Sequence, residues 1–68
     1  MNKQEASIQK LTKMGFRIDL NGSYGTHMSI RKRGSSLMAT VEQDGSINGM
    51  DPSDYIEYIT PELKAMKS

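Results

Sequence analysis

The apolar positions of the chain change their period twice, and each change marks the boundary of an expected element. Ile8, Leu11 and Met14 follow one another at steps of three, which is the spacing of one face of a helix. Gly15 stands directly after them, where a glycine commonly ends a helix in the left-handed conformation. The pattern therefore predicts an N-terminal helix over residues 2 to 14.

Strict alternation replaces the helical period from residue 16 onward and predicts a strand. Phe16, Ile18 and Leu20 are separated by single polar residues, Arg17 and Asp19. Side chains alternate between the two faces of a sheet, so the three apolar residues are expected on the face that meets the helices. This is the clearest strand pattern in the chain.

Two further segments continue the alternation and complete an antiparallel meander. Residues 26–33 and 37–41 carry apolar side chains at every second position. Their expected core-facing residues are Met28, Ile30, Leu37, Ala39 and Val41.

Glycine, asparagine and serine mark the turns between the strands. Residues 21–25 and 34–36 are assigned to the first two turns, because glycine and asparagine tolerate a positive φ. Asp44-Gly45 predicts a type I′ hairpin, in which both central residues have a positive φ. Residues 46–48 then offer a short additional strand, so the sheet is expected to have three or four strands.

The last third of the chain has the signals of a second helix. Asp51 is placed to cap it, and Pro52 follows at the first helical position, where a missing N–H removes no hydrogen bond. Its buried side is assigned to Tyr55, Ile56 and Ile59, with Tyr58 as a further option. Thr60-Pro61 repeats the cap pattern and predicts a break before a short terminal helix.

The order of elements predicts the fold class. A helix, three or four antiparallel strands and a second helix, with one apolar face on each strand, indicate an α+β fold. We expect a two-layer sandwich in which both helices cover one face of the meander. At 68 residues, the chain is expected to form a single domain over positions 1–68.

Composition excludes several classes of site. The chain has no cysteine and one histidine, which excludes thiolate and histidine-rich metal centres, and neither a metal nor another cofactor is expected. No segment approaches the roughly 20 apolar residues that span a bilayer. The polar start at residues 1–5 lacks a signal-peptide pattern, so a cytoplasmic protein without membrane contact is expected.

The net charge of +1 conceals an uneven distribution along the chain. Residues 1–34 hold seven bases and two acids, whereas residues 35–62 hold six acids and no base. Both groups supply candidate partner-binding residues, which are Asp51, Asp54, Glu57, Arg17, Arg31, Lys32 and Arg33. They favour a small non-catalytic binding protein that occludes or regulates a macromolecular partner, with a protein as partner, as inhibitors encoded by phages or mobile elements do. Nucleic-acid binding through phosphate contacts is an alternative.

His27 opens a different alternative, because a histidine can take the proton of an RNA 2′-hydroxyl without a metal. The stretch from Gln9 to Arg31, with Gly15-Phe16 and Gly25-Thr26-His27, resembles the start of HicA-type toxins over about a third of the chain. These are small RNA-cleaving proteins with a double-stranded-RNA-binding-domain-like order of helix, three strands and helix. The resemblance implies that fold and a metal-independent ribonuclease with His27 as the catalytic residue.

The sequence also departs from that family. Thr26 stands where the family has a serine, and residues 35–62 lack the bases that are typical of its second half. Asp51 and Asp54 stand at the start of the second helix, where RNA-binding relatives carry lysines that contact phosphates. We therefore rank the binding protein above the enzyme.

Overall fold

The structure is a computed structural model that describes residues 2–22 and 24–67. Its elements, in chain order, are α1 (Lys3–Met14), β1 (Arg17–Asn21), β2 (Gly25–Lys32), β3 (Ser35–Glu42) and α2 (Pro52–Lys67). The strands form one antiparallel sheet in the order β1-β2-β3. This is the α+β arrangement that the sequence predicts.

Both ends of α1 are capped, and the glycine at its C-terminal end is the one that the sequence predicts. The side chain of Asn2 accepts a hydrogen bond from the Glu5 N–H at 2.8 Å, which satisfies one of the free N–H groups at the helix start. Gly15 follows the helix with a φ of +110°. The N–H groups of Gly15 and Phe16 donate to carbonyls of the last turn, so α1 ends at the predicted glycine.

The hairpin between β2 and β3 turns one residue earlier than predicted. Lys32 pairs with Ser35, so Arg33 and Gly34 are the two loop residues. Both have a positive φ, +53° for Arg33 and +80° for Gly34, as a type I′ turn requires. Ser35 and Ser36 therefore belong to β3, because the two-residue loop imposes the left-handed conformation on Arg33 although it is not a glycine.

The hairpin at Asp44-Gly45 is of a different type from the one predicted. Only Gly45 of this pair has a positive φ, +91°. Its N–H donates to the Glu42 carbonyl at 2.9 Å, and the Glu42 N–H donates to the Ser46 carbonyl at 2.8 Å, which indicates a three-residue loop with a glycine bulge. Hydrogen bonds from the hydroxyl and the N–H of Ser46 hold the pKa of Asp44 below its usual value.

The optional fourth strand does not form. Ile47 makes isolated bridges to Val41 and Met50, and the sheet has three strands. Ile47 is fully buried all the same. The segment therefore serves to close the core beside β3.

The prediction that Ile18 and Leu20 face the core is wrong. They are 52% and 60% exposed, and no residue of β1 is buried. Ile18 pairs with Met28 on the helix-facing side, but at the edge of the sheet. The register shifts at Asp19, which is an extra residue in β1, and this bulge brings Leu20 opposite His27 on the other face.

Both helices cover one face of the sheet and enclose the core. The first half of α1 lines a depression together with the start of α2, and the end of α1 lines another with the second half of α2. The two helices therefore run in roughly the same direction. The buried apolar residues are Leu11, Phe16, Met28, Ile30, Ala39, Val41, Ile47, Tyr55, Ile59, Leu63 and Met66.

The predicted break at Thr60-Pro61 is absent, because α2 continues through Pro61. Proline has no N–H, so Pro61 cannot complete the helical hydrogen bond to the Glu57 carbonyl. Leu63 and Met66 nevertheless reach the core from the last turns of the helix. Their burial outweighs the local penalty of the proline. No helix within residues 2–22 and 24–67 is long and apolar enough to cross a membrane.

Replacing Pro61 with alanine is expected to stabilise the protein, because it restores the missing hydrogen bond of a continuous helix. Proline is about 3 kcal/mol less favourable than alanine inside a helix. Alanine also makes the unfolded chain more flexible, which stabilises the unfolded state and offsets about 1 kcal/mol of this gain. We expect a net gain of about 1 to 2 kcal/mol, measured as a higher melting temperature by circular dichroism. A melting temperature at or below that of the wild type would contradict a continuous α2.

Candidate functional site: two charged surfaces

The predicted partner-binding residues divide between two sides of the sandwich. Arg17 and Arg31 lie on the sheet face that the helices leave uncovered, which we call the open face. Asp54 and Glu57 lie on α2, in the helix layer. All four are exposed. One flat partner surface cannot contact both groups, so the structure contains two candidate surfaces.

The open face consists of rows of residues that pair across the three strands. Paired residues share a face of the sheet, and their side chains are neighbours. The first row is Leu20, His27 and Thr40, and the second is Arg17, Ser29 and Met38. This face therefore combines a histidine and an arginine with two exposed apolar side chains, one of which the β1 bulge brings there.

His27 is exposed in the first of these rows. Its Nδ1 lies 3.0 Å from the Thr40 hydroxyl oxygen, a contact that orients the ring. In the part of the chain that the structure describes, this is the one side chain in hydrogen-bond contact with the ring. The same part contains no cluster of three or more metal-ligating His, Cys, Asp or Glu residues. An acid–base reaction at this place would therefore depend on the imidazole of His27.

Arg17, Arg31 and Lys32 line a shallow depression where β1 and β2 meet the end of α1. Arg33 is exposed in the hairpin turn beyond the end of β2. Arg31, Lys32 and Arg33 are consecutive in the sequence, whereas Arg17 is distant from them along the chain. The pairing of Arg17 with Ser29 brings it beside Arg31.

The outer side of α2 carries an exposed tyrosine among carboxylates. Tyr58 is 65% exposed, which overturns the option that it packs in the core. Asp54 precedes it by one helical turn, Glu62 follows it by one turn, and Glu57 is its neighbour in the chain. All three carboxylates are exposed. We call this set of Asp54, Glu57, Tyr58 and Glu62 the acidic face.

Tyr58 is the residue of this surface that sequence reasoning missed. Its spacing of four from both Asp54 and Glu62 places all three on one stripe of the helix. The buried residues Tyr55 and Ile59 lie on another stripe. The spacing of four to both carboxylates was the available signal, but Tyr58 also stands three residues after the buried Tyr55, so spacing alone does not decide its exposure.

Tyr55 lies beneath the acidic face and is affected by its charge. Its ring is buried, and its hydroxyl donates to the Met38 carbonyl at 3.4 Å. Burial raises the pKa of the Tyr55 phenol, and Glu62 and Tyr58 raise it further. Of the three carboxylates of the acidic face, Glu62 is therefore the one whose charge acts on the Tyr55 phenol.

Asp51 has a structural role at the start of α2. Its carboxylate accepts a hydrogen bond from the Ser53 N–H at 3.2 Å, and its carbonyl accepts one from the Tyr55 N–H at 2.9 Å. The predicted helix cap is thus confirmed. A substitution of Asp51 would weaken the helix as well as any contact, so Asp54 and Glu57 are the better positions for a test.

No family model, no curated protein and no solved structure matches this chain. The resemblance to HicA-type toxins therefore stays a prediction. The functional assignment depends on the two surfaces themselves.

Proposed function

We propose that this chain is a small non-catalytic binding protein whose acidic face occludes a basic groove on a partner protein. The observation that supports this proposal is the exposed Tyr58 at the centre of three carboxylates. Tyrosine is among the residues that contribute most to protein interfaces, because it buries a large rigid ring and keeps a polar tip. An exposed ring flanked by carboxylates on one helix face offers a partner both apolar area and charge.

The distribution of charge supports a basic partner. The acidic face belongs to a stretch of the chain, residues 35–62, that has no base of its own. Carboxylates on one helix face attract a positively charged surface, which accelerates association and excludes acidic partners. Grooves that bind nucleic acid are the commonest strongly basic surfaces on proteins, so we propose that the partner is a nucleic-acid-binding protein. An origin in a phage or mobile element stays a prediction.

Charge reversal on α2 tests this function. The chain carrying Asp54→Lys and Glu57→Lys is expected to lose a partner that the wild type captures from its host in stoichiometric amount. A matched control carries Glu5→Lys and Asp19→Lys, which change the net charge equally. Glu5 is in the first turn of α1 as Asp54 is in that of α2, so both variants lose one favourable helix-dipole contact.

The outcomes of this capture separate the alternatives. Retention by the control and loss by the α2 variant supports the proposal. Equal capture by both variants would contradict it. Loss by both would indicate that net charge alone drives the association, which also contradicts a specific acidic face.

A ribonuclease of the HicA type is a second candidate, and the position of His27 favours it. His27 is exposed on the open face, its ring is oriented by Thr40, and Arg17 lies in the neighbouring row. A histidine beside an arginine suits proton transfer from a 2′-hydroxyl next to a phosphate. The order of helix, three strands and helix is also the one that the resemblance implies.

Cleavage of RNA in the presence of EDTA tests this second candidate. The wild type is expected to cleave RNA and to arrest growth when expressed, and His27→Ala is expected to abolish both effects while the circular dichroism spectrum is unchanged. A wild-type chain that is harmless and cleaves no RNA would rule this candidate out.

A further inference from the structure

A shallow depression of about 280 Å³ lies at the β1 edge of the sheet, and no residue of the acidic face lines it. Residues from β1 and β2 line it. Arg17 and Ser29 are paired across these strands, and Arg31 follows Ser29 on the same face of β2. Lys32 and Asp19 complete the charged lining.

The three cations at this depression have no partner within the described residues. The side chains of Arg17, Arg31 and Lys32 make no hydrogen bond or ion pair with any residue of 2–22 or 24–67. Their N–H donors are therefore available to a ligand. Asp19 is the one carboxylate in the lining, so the charge of the lining is +2.

Ser29 adds a hydroxyl group to the charged side chains of this depression. The residue is only 6% exposed, and its hydroxyl has no hydrogen-bond partner in the described part of the chain. Among those residues no fully enclosed side-chain N or O atom lacks a partner, so the Ser29 oxygen retains contact with solvent. Ser29 is also one of the residues that line the depression.

We propose that the depression binds a phosphate group, either on a small molecule or in a polynucleotide backbone. Guanidinium groups form paired, charge-assisted hydrogen bonds with phosphate oxygens. In this arrangement Arg17 and Arg31 hold two oxygens of the phosphate, and the Ser29 hydroxyl donates to a third. Two guanidinium groups and a hydroxyl together supply enough N–H and O–H donors for several oxygens of one phosphate. This site is independent of the proposed function, since it uses none of the residues of the acidic face.

Titration with inorganic phosphate at constant ionic strength, followed by amide NMR, tests the proposal. We expect saturable shifts at residues 17 and 29–32, whereas chloride produces none. The chain with Arg17→Gln and Arg31→Gln is expected to bind at least about 10-fold more weakly, and Ser29→Ala about 10-fold more weakly, as for hydrogen bonds to charged groups. A matched control, Lys10→Gln with Lys13→Gln, removes the same charge from α1 and is expected to leave the affinity within about twofold.

A second arm uses a short oligouridylate and identifies the source of the phosphate. Binding at least about 10-fold tighter than that of inorganic phosphate, with a steep salt dependence and the same loss in the arginine variant, assigns the site to a polynucleotide. Equal or weaker binding assigns it to a small phosphate compound. Absence of shifts at residues 17 and 29–32 with both probes, or equal weakening by the α1 control, would overturn the proposal.

Discussion

Replacing Ile47 with alanine is expected to lower the free energy of unfolding by about 2 to 5 kcal/mol, the range for truncation of a buried isoleucine. Ile47 is fully buried although it lies outside the three strands. A domain of this size has a total stability of only about 3 to 10 kcal/mol, so this loss is expected to be a large fraction of the total. Urea denaturation measures the loss.

Ile18→Ala is the matched control, because it makes the same chemical change at an exposed position of β1. Ile18 retains about half of its surface, so its truncation is expected to cost less than about 1 kcal/mol. Similar losses for Ile18 and Ile47 would contradict the placement of β1 at an uncovered edge.

Gly45→Ala is expected to cost about 2 to 4 kcal/mol, through a left-handed backbone and a clash with α1. Gly45 has a φ of +91°, and an added Cβ would lie 2.8 Å from the Lys3 Cβ and 3.0 Å from the Lys3 carbonyl oxygen. The buried Ser7 hydroxyl also donates to the Gly45 carbonyl at 2.6 Å, which holds the loop against the helix. The loop cannot retreat without breaking this hydrogen bond. Thermal unfolding measures the loss.

Gly49→Ala separates the cost of the left-handed backbone from the cost of the clash with α1. Gly49 also has a positive φ, +78°, but an added Cβ would meet no atom within 4 Å. Only the backbone penalty of about 1 kcal/mol is expected there. A loss at Gly45 no larger than that at Gly49 would contradict the close packing of this loop on α1.

Local signals were sufficient for the elements and insufficient for their register. Asn2, Gly15 and Asp51 cap the helices through contacts between residues close in sequence, and such contacts can be predicted from the sequence alone. Ile18 and Leu20 depend on where β2 pairs with β1. A single extra residue in β1 reverses the face of Leu20, and the alternating pattern carries no trace of it.

Tertiary packing also overrode two local rules. Pro61 predicts a helix break, but the burial of Leu63 and Met66 keeps the helix continuous. Arg33 adopts a positive φ because the two-residue loop between β2 and β3 demands it. In the first case contacts distant in sequence determine the outcome, and in the second the pairing of β2 with β3 does; a single-residue propensity is too weak to oppose either.

The sequence predicted which charged residues belong to the candidate surfaces, but it did not predict how they are arranged. Sequence reasoning identified the acids of α2 and the bases near the sheet, but it could not show that the sandwich separates them. The exposure of Tyr58 and the partnerless hydroxyl of Ser29 emerge only when the neighbours of each side chain are known. These two residues convert the charged surfaces into specific hypotheses.

The affinity of the captured partner for the Tyr58→Ala chain tests the central claim, that the acidic face of α2 is the binding surface, most directly. Tyr24→Ala is the matched control, since Tyr24 is also highly exposed but precedes β2. We expect Tyr58→Ala to weaken binding at least about 30-fold, as for a central interface tyrosine, and Tyr24→Ala to change it less than about twofold. Unchanged affinity for Tyr58→Ala, or a larger loss for Tyr24→Ala, would contradict the account.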